Sequence, residues 1–278
     1  MKGRIAYAAL FTIALPLFLA TWAVRLDTLL FIPRLTSLPV GAAITIAGML
    51  LMAMATRDLW VHGHGLPASP FPPERIVTRG TYGVIAHPVY VGAVLTTAGL
   101  SIATGSGAGL WIVTPVLALA AAAFVIGFER DSTFSRYGAL PSPWLKLPPE
   151  TDDPPRTNDR AAVYALVLLP WVVLYLGVEA LGVPRDAVST YFDWDGALPV
   201  IPWTEGFYFV TYLFTLLAPV VASRRRELRR FALDGLWATA LIIPFYLLVP
   251  LVAEMKPVPG EGFWQVLMHW ERVGSSPL

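Results

Sequence analysis

Apolar residues run along this chain in continuous blocks, not in alternation. Seven blocks stand out, over residues 5–24, 38–55, 88–104, 109–128, 161–181, 206–222 and 231–253. Each approaches the ~20 residues that a helix needs to cross the hydrocarbon of a bilayer. In that solvent a helix satisfies its backbone hydrogen bonds within one segment. Barrel strands would alternate in polarity, and these blocks do not. The pattern predicts an all-α, polytopic membrane protein with about seven transmembrane helices. Blocks three and four are parted only by Gly105-Ser106-Gly107-Ala108, which predicts a tight helical hairpin.

Composition agrees with this class. Of 278 residues, 56% are hydrophobic and 14% charged, against about a quarter charged in soluble domains. No cysteine is present, so disulfides, thiolate metal sites and cysteine nucleophiles are excluded. A net charge of +1 points to no nucleic-acid partner. With the N-terminus cytoplasmic, the inner segments hold 15 of the Lys and Arg residues, from Lys2 and Arg4 through Arg230. The outer ones hold 5: Arg25, Arg34, Arg185, Lys256 and Arg272. Cations retained on the cytoplasmic side set this orientation. The expectation is an integral protein of the bacterial inner (plasma) membrane, with the bilayer itself as a partner. The basic start Met1 to Arg4 then leads into a retained first helix rather than a cleaved signal, because the apolar run is long for one.

The longest interruption of the apolar pattern in the first half is Gly63 to Gly92. Its Gly/Pro-rich opening cannot be helical, and it ends on His87-Pro88 at the start of block three. Proline suits the first position of a helix. The segment therefore reads as a loop entering a membrane helix, with polar and aromatic groups at the entrance. Glu129 lies at the inner end of block four, where an ionisable group is a functional candidate by default. Its bland alternative is an interfacial pair with Arg79 or Arg130. For Tyr82 and Tyr90 the alternative is interface anchoring, and for His87 a helix-start hydrogen bond. His62 and His64 are a sparse basis for a metal site, and no metal is expected. Phe128 to Gly138 reads as a helical extension with a glycine stop. Residues 147–160, acidic and proline-rich, read as a linker, which gives domains 1–155 and 156–278. Pro244 and Pro250 predict kinks in the last block. The run Arg224 to Arg230 reads as a topology anchor or an anionic-lipid contact.

Gly63-His64-Gly65-Leu66-Pro67, Pro72-Pro73, Ile76-Val77-Thr78-Arg79-Gly80-Thr81-Tyr82 and His87-Pro88-Val89-Tyr90-Val91-Gly92 occur in this order. Glu129 follows after the hairpin, with Gly138 nine residues on. Over residues 35–150 this arrangement resembles the isoprenylcysteine carboxyl methyltransferase family, including its bacterial lipid-methyltransferase-like members. The resemblance implies S-adenosylmethionine as cofactor and a lipid or isoprenoid-type membrane substrate. It implies Glu129 and His87 as catalytic residues. It also implies a cofactor site at Gly80, Tyr82, His87, Pro88, Tyr90, Gly92 and Glu129. Three positions depart from the family pattern. Ala86 replaces an arginine, Arg130 replaces a second acid, and Ala139 to Pro143 replaces a Tyr-x-x-Tyr. Arg79 is the expected stand-in for the cation absent at Ala86.

Asp195, Ile201-Pro202-Trp203, Phe207, Tyr208 and Tyr212, with Lys256-Pro257 later, resemble the start of a type-2 phosphatidic-acid-phosphatase-like domain of the inositol-phosphorylceramide-synthase kind. The histidine-bearing segments of that chemistry are missing, so a truncated or degenerate module is expected. Two rivals to a methyltransferase therefore stay open: a non-catalytic lipid-binding or scaffold protein, and a fragment of a lipid phosphatase or head-group transferase.

Overall fold

The computed structural model describes residues 10–67, 73–182, 187–252, 256–257 and 262–274. Lys2, Arg4 and Arg185 of the charge count, Pro72 of the loop motif and the chain end at 275–278 lie outside these. Contacts group the chain into two units, Met1–Trp144 and Leu145–Leu278. The architecture is that of an all-α polytopic membrane protein.

In the first unit, a π-helical turn at Leu10–Ala14 runs into α1 (Leu15–Leu29). Then come α2 (Leu38–Gly63), the single turn α3 (Thr81–Val84), α4 (Pro88–Thr104) and α5 (Gly109–Tyr137). Of these, α2 and α5 are long and apolar enough to cross a membrane, while α4 has 17 residues. The hairpin turn between α4 and α5 is fixed by Asp27 at the end of α1. The Ser106 hydroxyl and the Ala108 N–H (2.8 Å) both donate to its carboxylate. The Ser106 Oγ in turn accepts from the Gly109 N–H at 2.9 Å, capping α5.

The tightest packing lies between α2 and α4, which run antiparallel with their backbones nearly touching. A Cβ on Gly48 would come within 2.6 Å of Thr96 Oγ1 and 2.7 Å of the Gly92 carbonyl oxygen. A Cβ on Gly99 would meet the Thr45 nitrogen at 2.4 Å. Only glycine fits at such crossings, and small residues are the usual means of close helix contact in lipid. The hydroxyls that line this seam are satisfied within their own helices. Thr45 donates to Gly41 O (2.7 Å), Thr96 to Gly92 O (2.8 Å) and Ser101 to Thr97 O (2.7 Å).

The second unit contains α6 (Thr157–Glu179), α7 (Pro202–Val221), α8 (Arg225–Leu248) and the shorter α9 (Phe263–Gly274). The first three are of spanning length. Thus five of the seven expected spans reach that length among the described residues. Val163 and Val167 of α6 and Leu228 and Ala232 of α8 form a buried core. Val188–Ser189 and Leu251–Val252 make a two-residue parallel pair. Pro244 lies inside α8, whereas Pro250 falls beyond its end and kinks nothing.

The acidic stretch expected as a free linker is bonded into this unit. The Arg225 and Arg226 N–H groups donate to the carbonyls of Asp153 (2.9 Å) and Thr151 (3.0 Å). Their guanidinium groups pair with Asp159 and Asp152, each at 2.8 Å. Arg224 also pairs with Asp152, and Arg230 with Asp234.

The glycine seam carries a direct expectation. Gly48→Leu forces α2 and α4 apart and should destabilise the protein by about 1–3 kcal/mol, the usual cost of overpacking. Leu50→Ala on the exposed face of α2 should change the melting temperature in detergent far less. Equal melting temperatures for Gly48→Leu and the parent would show that the seam does not hold the unit together.

Candidate functional site

The end of the first unit where α2 finishes and α4 begins is built around Asp58. This carboxylate is buried, at 7% exposure, near the C-terminal end of α2. It accepts hydrogen bonds from the Thr81 N–H (2.8 Å) and Thr81 Oγ1 (2.9 Å). Gly80 stands against it with φ +60, and a Cβ there would overlap the carboxylate at 2.2 Å. Left-handed backbone and close approach both require glycine at this point. Asp58 thereby pins α3 and the strand of loop that delivers His87 to the first turn of α4. Farther along, the Trp144 N–H donates to Gly83 O at 3.1 Å, holding α3 from its other side.

His87 and Tyr90 come together with Glu129, which lies 39 residues beyond Tyr90 in sequence. The Tyr90 hydroxyl donates to Glu129 Oε2 at 2.8 Å. His87 Nδ1 faces Oε1 of the same carboxylate at 3.3 Å. The His87 and Tyr90 rings stack with centroids 5.9 Å apart, and Phe124 meets Tyr90 edge-on. All three polar side chains are half-buried.

Glu129 closes a π-helical turn at Val125–Glu129 inside α5. Positions of α5 that face the neighbouring cavity recur every four residues: Phe124 and Val125, Phe128 and Glu129, Ser132 and Thr133, Arg136 and Tyr137. On a straight α-helix such a stripe drifts by about 40° every four residues. The π turn accommodates one extra residue and removes part of that drift. It keeps Glu129 and the later polar residues on one wall.

The cavity itself has a volume of about 600 Å³. Its polar end carries Glu129, His87, Tyr90 and Tyr82, and its apolar side carries Leu59, Val89, Phe124 and Phe128. Leu140 and Pro141, in the stretch that departs from the Tyr-x-x-Tyr pattern, still contribute to the wall. The Tyr137 hydroxyl, on a residue expected as phenylalanine, donates to the Pro73 carbonyl and ties α5 to the loop. Burial raises the pKa of the Tyr82 hydroxyl well above the ordinary phenol value, and the negative charges of Glu129 and Asp58 raise it further. Tyr82 is therefore a neutral hydroxyl at physiological pH.

The residues expected to hold a cofactor divide into two groups. Tyr82, His87, Tyr90 and Glu129 border the cavity. Pro88 is the buried first residue of α4, and Gly92 is buried against Met52 and Gly48 of α2. Gly80 faces Asp58, and Arg79 is exposed and outside the cavity wall. Arg79 therefore supplies no guanidinium to the cavity in place of Ala86, which does border it. Asp58 was missed as a site-building residue. Its signal was a lone acid in the last turns of an apolar helix. His62 Nδ1 lies 3.1 Å from the Asp58 carbonyl oxygen, and His64 ends α2 in a left-handed conformation.

A chain segment with its polar cluster at a helix mouth, held by a Gly/Pro-rich loop and an acid from the following hairpin, has a counterpart among known families. Residues 36–139 match the model of the phospholipid methyltransferase family. That family belongs to the same membrane-methyltransferase group as the isoprenylcysteine methyltransferases. The phospholipid-methyltransferase match contains the loop, Asp58, His87, Tyr90 and Glu129, and it does not extend into the second unit. No curated protein and no solved structure matches the chain.

The Tyr82 environment gives a pH dependence with a defined sign. A phenol whose folded-state pKa is raised stabilises the fold fully below its unfolded value, near 10, and loses that contribution as pH climbs above it. Thermal melting should therefore fall above about pH 10, and Tyr82→Phe should flatten part of the fall. An identical alkaline profile for the two proteins would show that the Tyr82 hydroxyl is not shielded.

Proposed function

We propose that this chain is an S-adenosylmethionine-dependent integral-membrane methyltransferase acting on a lipid or isoprenoid-type membrane substrate. One observation carries the reading: a carboxylate, an imidazole and a phenol from two helices converge at the polar end of a cavity whose other side is apolar and aromatic. The volume of about 600 Å³ lies within the ~300–1,000 Å³ typical of small-molecule sites. When bound, the cofactor supplies a methyl group already activated on a cationic sulfur.

The residues present fit such a group. Glu129 offers a negative charge, held in place by Tyr90 and His87. The aromatic rings of Tyr90 and Phe124 offer the cation–π attraction that favours an onium centre. Val89, Phe124 and Phe128 offer apolar surface to an acyl or isoprenoid chain and exclude water from the polar end. Methyl displacement needs alignment and desolvation above all, and a preorganised polar cluster supplies both. A second reading, lipid binding without catalysis, is favoured by Ala86, which leaves the loop side of the cavity without a guanidinium.

Cytosolic cofactor requires the polar end to face the cytoplasm. Since the chain has no cysteine, single cysteines report sidedness cleanly. Phe31→Cys, at the opposite end of the unit, should react with an impermeant maleimide in intact cells, and Thr78→Cys only after permeabilisation. The reverse pattern would separate the cluster from its cofactor and sink the methyltransferase reading.

Calorimetric titration with S-adenosylhomocysteine tests the site directly. The parent should bind, and His87→Ala and Glu129→Ala should each weaken binding by ~1–3 kcal/mol, the usual cost of losing a buried polar partner. Transfer of labelled methyl from S-adenosylmethionine to membrane lipid should fall in the same variants. A parent that binds the product analogue but labels no lipid would favour the non-catalytic reading.

A further inference from the structure

We propose that Arg130 and Arg136 form an anion clamp at the rim of the cavity in the first unit, and that the ligand held there carries an anionic oxygen group, a carboxylate or a phosphodiester. The clamp rests on the methyl-transfer reading only for the choice of two of the three probes.

Both arginines project from α5 onto the cavity wall, and both are exposed to the solvent side of it. Among the described residues neither guanidinium is in an ion pair or donates a hydrogen bond. Of the two acids flanking Arg130, Glu129 is already engaged, with Oε2 accepting from Tyr90 and Oε1 facing His87, and the exposed Asp131 pairs with neither arginine among the described residues. The contrast with the second unit is informative. There Arg224, Arg225, Arg226 and Arg230 each sit within 4 Å of an aspartate. Those cations are neutralised by the protein, and the two on the cavity wall are not.

A favourable interaction with the C-terminal end of α5 accounts for a cation at position 136. It does not account for Arg130, more than a turn earlier, nor for both residues facing the same void. Six residues separate them, about 9 Å along the axis. Ser132 and Thr133 lie between them on the same wall and add hydroxyl donors. Guanidinium groups form paired, charge-assisted bonds to carboxylate and phosphate. The cavity wall therefore pairs a half-buried carboxylate with two exposed cations. A ligand with a positive and a negative group matches that pairing. The anion has two available sources, the carboxylate of the cofactor or the phosphate of a lipid head group.

The test uses the full chain purified in detergent, its Arg130→Gln/Arg136→Gln double variant, and Arg75→Gln as a control. Arg75 is an exposed cation outside the cavity wall. The probes are S-adenosylhomocysteine, its decarboxylated analogue, and dihexanoylphosphatidylglycerol. A clamp for the cofactor carboxylate predicts that the double variant binds S-adenosylhomocysteine about tenfold more weakly or worse, the scale of losing charge-assisted bonds. The decarboxylated analogue should then bind parent and variant alike. A clamp for lipid phosphate predicts the same loss for the phospholipid and none for S-adenosylhomocysteine. Either result supports the proposal and names the source. Parent-like affinity of the double variant for every probe overturns it. So does an equal loss in Arg75→Gln, which would reduce the effect to general surface charge. A parent that binds phospholipid through these arginines but not S-adenosylhomocysteine keeps the clamp and removes the methyltransferase reading. A parent that binds no probe overturns both.

Discussion

The site depends on how closely two membrane helices approach. Hydrocarbon provides no hydrophobic force to gather helices, so association rests on van der Waals contact and on hydrogen bonds. Glycines at 41, 48, 92 and 99 bring α2 and α4 to backbone contact. That contact sets Asp58, near the end of α2, beside Thr81, just ahead of α4. The Asp58 bonds then hold the loop so that His87 and Tyr90 emerge toward α5. If the seam were wider by a side chain, the carboxylate could not reach Thr81, and the histidine would lose its fixed position relative to Glu129.

The membrane fold was legible because a bilayer imposes one rule on every segment. Continuous apolar length is a property of the chain alone, and it located α2 and α4 to α8, although α2 and α5 run on eight and nine residues past their apolar blocks and α8 starts six residues before its own. The polar cluster was legible in part. Glu129 stood out as a charge in an apolar helix, and His87 and Tyr90 stood at a helix mouth. What a glycine faces is a property of its neighbours in space. Gly92 read as a cofactor contact, yet it touches Met52 and Gly48. Arg79 read as a site cation for the same reason, being close in sequence to His87 but exposed and off the cavity wall. The place of Arg136 on the cavity wall was hidden because that wall follows a four-residue period that an ordinary helix does not sustain, and Arg130 falls outside even that period.

Charge counting met a similar limit in the second unit. The basic run after α7 reads along the chain as a topology anchor or an anionic-lipid contact. In space, Asp152, Asp153 and Asp159 lie against it. A tally of lysines and arginines cannot separate a cation offered to a ligand from one already balanced by a neighbour. The acidic stretch and the basic run are two halves of one structural tie.

The short length of α4 has a consequence for the lipid around it. Its 17 residues rise about 25 Å, less than the roughly 30 Å of hydrocarbon in an average bilayer. The neighbouring α5, at 29 residues, is far longer than that thickness. Such a mismatch is relieved when the leaflet thins locally or polar chain ends sink inward. Where that relief falls at the N-terminal end of α4, it would bring head groups toward His87 and the cavity mouth. A lipid can then present its polar end to the cluster without being drawn out of the leaflet. On the proposed lipid-methyltransferase reading, the membrane's own deformation would perform part of the delivery that a soluble enzyme would need a moving lid to accomplish.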